Sequence, residues 1–382
     1  MNIGSIPVIS GSFVLSLVMV AVIRGISRRM GWFDHINERK IHSGDIPRLG
    51  GLGFAISFLV FAVIIKSRSP SPLRLLFLAP AFALILISGV RDDFKPMSSH
   101  FKMIFHISAA LCAMAAGYMF KKVFYHGPAD FLNFPGWSLL RYPISLLWIV
   151  GMTNAVNFID GVDGLAGGVS VLALLSLGGI FSFLGAPDGT PLLCFCLASA
   201  ILGFLVLNAP IPKAKIFMGD GGAYFLGFTL ALLSVSGDNT ATLPVPYVAA
   251  ILLIPILDTT AAVWRRLRDH RPIDSPDRAH THHKLMTLGL SSRGIDALLY
   301  CLQIGLGLLV FAAVKNGGRL SVLFLFLAYA AALCFFTAVH FLNRRQQKNI
   351  QKNIMEESGP KVPGTSPAGR DQGPDHDSAG TT

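Results

Sequence analysis

Residues 139–164 read LLRYPISLLWIVGMTNAVNFIDGVDG. The run opens apolar over a length that spans a hydrocarbon core. It closes on two amides and two carboxylates, Asn154, Asn157, Asp160 and Asp163, at intervals of three. A helix carries residues three apart close to one face, so a helix continuing to the membrane edge sets each of these oxygen-bearing side chains beside the next. Gly161 and Gly164 let the backbone leave the helix there and approach a ligand. Turn formation by Asn and Asp alone needs fewer such residues.

The rest of the chain repeats the apolar pattern. Of 382 residues 52% are apolar and 14% charged, against roughly 25% charged in a soluble domain, and the mean hydropathy is +0.58. The 28 Phe and 38 Gly suit packed transmembrane helices. Apolar windows fall near 3–23, 49–65, 73–90, 101–120, 139–157, 165–184, 191–207, 222–236, 243–264, 295–314 and 320–342. The expectation is therefore an all-α polytopic membrane protein with about eleven transmembrane helices. The five cysteines lie in apolar runs, form no CxxC, and read as small buried hydrophobes. Met1 to Val22 lacks a basic start and a cleavage site, which predicts no cleaved leader.

The net charge of +11 would suit nucleic acid, but the basic residues stand at the ends of apolar runs, where topology places them. Arg24 to Arg48 and the segment after Trp264 are both Arg-rich and eight crossings apart, as are a cytoplasmic first loop and a cytoplasmic last loop. The prediction is an N-terminus outside and a C-terminus inside, with Arg344, Arg345, Lys348 and Lys352 in agreement and Lys66, Arg68, Lys121 and Lys122 against it. The transmembrane catalytic domain is expected over 1–342 and a disordered polar cytoplasmic tail over 343–382.

The inner loops then hold the chemistry: Asp92 and Asp93, the 154–164 run, Phe217-Met-Gly-Asp220-Gly-Gly222, and His280, His282 and His283. Polar groups at a membrane edge mark function by default. A transporter, the rival suggested by the span count, would set such groups near the midplane instead. Asp92 and Asp93 repel each other at the negative end of a helix dipole, so a divalent cation or Lys102 on the next helix is expected to offset them. The amide and carboxylate oxygens suit a hard cation such as Mg²⁺, with Mn²⁺ as the alternative. Around Asp220, backbone N–H groups can face an anion while the carboxylate holds metal. The histidines among Arg271, Arg278 and Lys284 suit a pyrophosphate better than zinc. Asp258 is equally consistent with an ion pair to the Arg cluster and with a site role, and His106 reads as a packed histidine.

These loops, in this order, resemble the polyprenyl-phosphate N-acetylhexosamine-1-phosphate transferase family over nearly the whole chain before residue 343. The resemblance rests on Lys40-Ile-His42 with Pro47-Arg48-Leu-Gly50-Gly51, on Asp92-Asp93 with Lys102, on Asn154 through Leu165, on Phe217-Met-Gly-Asp220, and on Ser275-Pro-Asp-Arg278-x-His280-x-His282-His283. The last motif is similar to the branch that uses UDP-N-acetylglucosamine and undecaprenyl phosphate rather than the muramoyl-pentapeptide branch. The resemblance implies Asn157 and Asp220 as Mg²⁺ ligands. It implies Asp92, Asp93, Asp160, Asp163 and Lys102 as catalytic residues, the acidic pair near the lipid phosphate and Lys102 on a phosphate. As substrate-binding residues it implies Asn154, Phe217, Arg278, His280, His282, His283, Lys40 and Arg48, with Asp163 and Phe217 near the uridine. It further implies a bacterial inner-membrane enzyme with a cytoplasmic site; a homodimer is compatible with the sequence. Two positions depart from many relatives: Ala223 replaces a hydroxyl residue, and His106 an amide. The DGxxAR pattern of CDP-alcohol phosphotransferases is absent, since Ala166 is followed by Gly167.

Overall fold

The computed structural model describes residues 5–33, 46–66, 72–121, 137–186, 189–209, 213–235, 241–272, 275, 277 and 279–357. They form thirteen helices and, among the described residues, no strand beyond one isolated bridge between Phe33 and Pro47. The first eight are α1 (Ser5–Met30), α2 (Gly50–Lys66), α3 (Pro72–Phe94), α4 (Ser99–Ala115), α5 (Trp137–Ile159), α6 (Leu165–Phe183), α7 (Thr190–Asn208) and α8 (Gly219–Val235). They are followed by α9 (Val245–Ile251), α10 (Leu253–Arg268), α11 (Thr281–Thr287), α12 (Ser292–Asn316) and α13 (Gly318–Glu357). Each apolar window of the sequence contains one of these helices, or α9 and α10 together; six helices are long and apolar enough to cross a membrane, seven if α9 and α10 count as one, and α2 and α8 are apolar but shorter.

The bundle is built around α8, every residue of which from Gly221 to Val235 is buried. Helices α2, α3 and α5 make its main contacts, α4, α6 and α7 touch it more lightly, and α1, α12 and α13 lie farther out. A helix apolar all round belongs in the centre of such a packing. The outer helices carry their large apolar side chains outward, among them Val14, Val18 and Val22 on α1 and Val322 and Phe326 on α13. Exposed apolar surface on that scale needs lipid rather than water. Inside, hydroxyls bridge helices: Ser12 donates to the Cys196 carbonyl at 2.9 Å, Ser16 to that of Ala200 at 2.6 Å, and Ser57 to that of Ser12 at 2.8 Å. Such bonds hold helices together where lipid offers no hydrophobic drive.

The window 243–264 is not one straight span. α9 and α10 meet at an angle of 89° around Leu252. Pro255, four residues after Ile251, has no N–H for that residue's carbonyl, and a helix interrupted in this way kinks. Gln303 of α12 donates to the Ile251 carbonyl at 2.9 Å in its place. Residues 343–357, expected to be part of a disordered tail, are helical. α13 continues to Glu357, because Arg, Gln, Lys, Met and Glu are strong helix formers whatever their hydropathy. Residues 358–382 lie outside the described residues, as do Lys40 and Arg278.

Candidate active site

The C-terminal ends of α3 and α5 and the N-terminal ends of α2, α4 and α8 meet at one end of the bundle. The segment before α2 runs beside the segment before α8. Phe217 N–H donates to the Pro47 carbonyl, Gly50 N–H to that of Phe217 and Gly51 N–H to that of Met218, each at 2.9 Å. Between them Leu49 is buried with a φ of 74°, a conformation that disfavours any side chain. A Cβ on Gly51 would lie 2.2 Å from the Gly222 Cα, so the backbones of α2 and α8 touch. Arg48 donates from Nη1 to the Asp93 carbonyl at 2.8 Å, tying the same segment to α3.

The acidic pair splits its partners. Asp92 forms an ion pair with Lys102 at 2.5 Å and accepts the Met97 N–H at 2.7 Å, which closes the turn from α3 into α4. The ring of Tyr224 stands edge-on to that of His106 on α4, centroids 4.6 Å apart. Lys102 thus offsets Asp92 as expected. Asp93 is offset by a group the sequence did not suggest: it accepts the backbone N–H of Asp220 at 2.8 Å and of Gly221 at 3.0 Å. The N-terminus of α8 does bind an anion. That anion is Asp93, so these two N–H groups do not face a substrate.

Asp220 itself accepts a hydrogen bond from Asn157 Nδ2 at 2.8 Å, joining α8 to α5. Asn154 lies one turn earlier, where Nδ2 donates to the Val150 carbonyl at 2.8 Å and sits 3.2 Å from His106 Nδ1. Because a carbonyl fixes that amide nitrogen as donor, His106 Nδ1 is the acceptor and Nε2 carries the proton. Nε2 is buried without a protein partner, so His106 is only half satisfied. Asp160 follows α5 directly. Its carboxyl is pushed up to about 8 by withdrawal from water and by the neighbouring Asp220, Asp163 and Asp93.

That excess of negative charge tests the fit of a metal. Oxygen donors from Asp220 and Asn157, with surplus carboxylate charge around them, match a hard divalent cation that keeps one or two protein ligands. Mg²⁺ is chemically at home in such a set.

The histidine loop closes the site from the other side. His282 packs against Gly161, where a Cβ would lie 2.3 Å from Nε2, so only glycine admits the loop there. The rings of His280 and His282 stand parallel with centroids 6.0 Å apart, and those of His282 and His283 are 4.3 Å apart. Burial, then the neighbouring His283, pulls His282 down to about 4, so it is neutral at pH 7. Asp258 is not paired with the Arg cluster. Its carboxylate takes His280 Nδ1 at 2.6 Å and both the N–H and the hydroxyl of Thr281, while Arg265 binds Asp277 at 2.6 Å. Two residues near this end were missed from sequence. Tyr224 carries no distinguishing signal. Asp296, buried 3.7 Å from Arg293 and beside Gly164, is an acid one turn into an apolar helix and could have been found on that ground.

Comparison with known proteins matches residues 75–238 to the model of glycosyl transferase family 4. A probable undecaprenyl-phosphate N-acetylglucosaminyl 1-phosphate transferase of Bacillus subtilis (strain 168) is 35% identical over 296 residues, covering 76% of this chain and 80% of the relative. The chain belongs to this family. Undecaprenyl-phosphate alpha-N-acetylglucosaminyl 1-phosphate transferases of Yersinia pestis and Escherichia coli (strain K12) are each 30% identical, covering 75% of this chain and 78% of their own lengths. The residues 75–238 matched to the family include Asp92, Asp93, Lys102, Asn154, Asn157, Asp160, Asp163, Phe217 and Asp220.

Proposed function

We propose that the protein transfers N-acetylglucosamine 1-phosphate from UDP-N-acetylglucosamine to undecaprenyl phosphate, releasing UMP and starting a lipid-linked envelope glycan. The observation that carries this reading is the joining of Asp92–Lys102, Asp93–α8 and Asn157–Asp220 at one end of a membrane bundle. A phosphoryl transfer asks a protein chiefly for positioning and charge neutralisation. An oxygen of the lipid phosphate forms a bond to the sugar-bearing phosphorus, the bond from that phosphorus to the bridging oxygen breaks, and UMP leaves with the electron pair. The lipid phosphate monoester, with a second pKa of about 6, is already largely dianionic at neutral pH.

In this scheme Asp92 holds Lys102 against the lipid phosphate, and Asp93 holds the first turn of α8 so that Asp220 faces Asn157. Asp220 and Asn157 would hold Mg²⁺, or Mn²⁺ in its place. The ion would neutralise the pyrophosphate. The histidine loop, with Arg278 and Lys40, contacts pyrophosphate and sugar. Asn154, Asp163 and Phe217 bind the nucleotide, Asp160 completes the acidic wall, and Arg48 adds a substrate contact where it ties the segment before α2 to α3.

The test is UMP release by purified protein from a panel of UDP-sugars, with and without undecaprenyl phosphate. Turnover with UDP-N-acetylglucosamine that requires the lipid is the expected result. Preference for UDP-muramoyl-pentapeptide, or no UMP from any UDP-sugar, would overturn the reading.

The same proposal includes eleven crossings, with α9 and α10 counted as one, the N-terminus outside and the site at the inner, cytoplasmic face. The loops before α2, α4, α6 and α8 and the one after α10 are all separated by even numbers of helices, and the site draws on every one of them. A cysteine at Ser98, an exposed position whose side chain makes no cap bond to α4, tests the orientation in a background lacking the five native cysteines. It should react with an impermeant maleimide in inside-out vesicles and stay unlabelled in intact cells.

A further inference from the structure

α10, the second half of the bent pair, works as a splint for the histidine loop. Asp258 and Arg265 stand seven residues apart on it, two turns along one face. Arg265 grips Asp277, whose other oxygen accepts the Ala279 N–H at 2.8 Å. Asp258 grips the next residues: one oxygen lies 2.6 Å from His280 Nδ1, and the other accepts the Thr281 N–H at 2.7 Å and its hydroxyl at 2.6 Å. Both Asp258 and His280 are buried, at 3% and 7% exposure. A buried acid on a membrane helix is held there by its partners.

The hydrogen-bond pattern decides more than position. Thr281 N–H is a donor, so the oxygen facing it must accept. A carboxylate has no proton of its own to give, so its second oxygen also accepts, and His280 Nδ1 must carry a proton. The remaining ring nitrogen, Nε2, is then the one left for a ligand. The same contacts seat the first turn of α11 so that His282, two residues on, rests on Gly161 of the turn that carries Asp160 and Asp163.

We infer that Asp258 is a positioning residue for the transfer, acting through His280: it sets the tautomer of that histidine and docks the histidine loop on the Asp160–Asp163 turn. What His280 does to the substrate rests on the function proposed above. The tautomer does not.

Asp258→Asn has nearly the same shape and reverses the logic. Its amide oxygen must stay toward Thr281 N–H, which turns the NH₂ toward His280 Nδ1 and makes that nitrogen an acceptor. Full-length protein in lipid nanodiscs, labelled with ¹⁵N-histidine and assigned by loss of one signal in His280→Gln, reads this directly at pH about 9, above the ordinary imidazole range. The wild type should show Nδ1 protonated, Asp258→Asn should show Nδ1 bare with the proton on Nε2, and Asp258→Glu should keep the wild-type pattern. A bare Nδ1 in the wild type overturns the inference even if no variant folds.

The kinetic arm is a double-mutant cycle. Asp258→Asn should lower kcat roughly 10- to 100-fold with the KM for UDP-sugar changed only a few-fold, and should add almost nothing in a His280→Ala background. An equal loss in both backgrounds would make Asp258 a purely structural residue. Should the wild type release no UMP, the functional reading fails, and the tautomer still decides this one.

Discussion

Asp220→Ala should lower the rate of UMP release by about 10³-fold or more, while the protein keeps its fold in detergent. The structure separates these two outcomes. The start of α8 is held through backbone groups, the N–H of Asp220 and of Gly221 on the Asp93 carboxylate and the Gly51 N–H on the Met218 carbonyl, and none of these needs the Asp220 side chain. Removing that side chain also takes one charge away from the group around Asp160, whose carboxyl is pushed up partly by Asp220. The melting temperature without metal should therefore hold or rise. Activity should not return with ordinary Mg²⁺, because the lost oxygen is one that the cation would use. A variant that keeps more than about a tenth of the wild-type rate would remove Asp220 from the metal site.

Much of this site was legible in the sequence where chemistry is local. Asn154, Asn157 and Asp160 are close in the chain, and a helix of known period carries the first two to its end. Lys102 is separated from Asp92 by a turn of a few residues, so a returning helix brings the two together. What stayed hidden depends on long-range packing. Asp93 binds backbone groups 127 and 128 residues away, and backbone N–H groups leave no trace in composition. Asp258 had two readings, an ion pair with the Arg cluster or a site role, and only the direction taken by α10 after the break at Leu252 brings it to His280 instead of the Arg cluster. Apolar residues continue on both sides of that break, and hydropathy carries no information about direction. The proline and the distant Gln303 together made the bend, and only the proline is local. Residues 343–357 misled for the opposite reason: their hydropathy falls while their helix propensity stays high.

Asp92→Asn is the second large effect, and its pH dependence separates two mechanisms. Asparagine can still accept the Met97 N–H, but its NH₂ would then face the Lys102 ammonium, donor against donor, and the lysine would be released. If Asp92 serves to hold Lys102 in place, the charge is missing at every pH. The rate should then fall about 10²-fold, and the ratio of wild-type to variant rate should stay flat from pH about 5.5 to 7.5, across the second pKa of the lipid phosphate near 6. A general base predicts something else. The variant would fail worst at low pH, where the monoanion dominates, and recover as the substrate loses its own proton. A covalent phospho-aspartyl route differs again, since it would give a burst of UMP from enzyme and nucleotide sugar before lipid is added. The contacts already made by Asp92 favour the first outcome: one oxygen is held by Lys102 and the other by the Met97 N–H, so each is engaged in positioning. The expected result is a flat deficit with no burst. A deficit shrinking about tenfold toward pH 7.5 would restore Asp92 as the base, and a stoichiometric burst would replace single displacement with a two-step transfer.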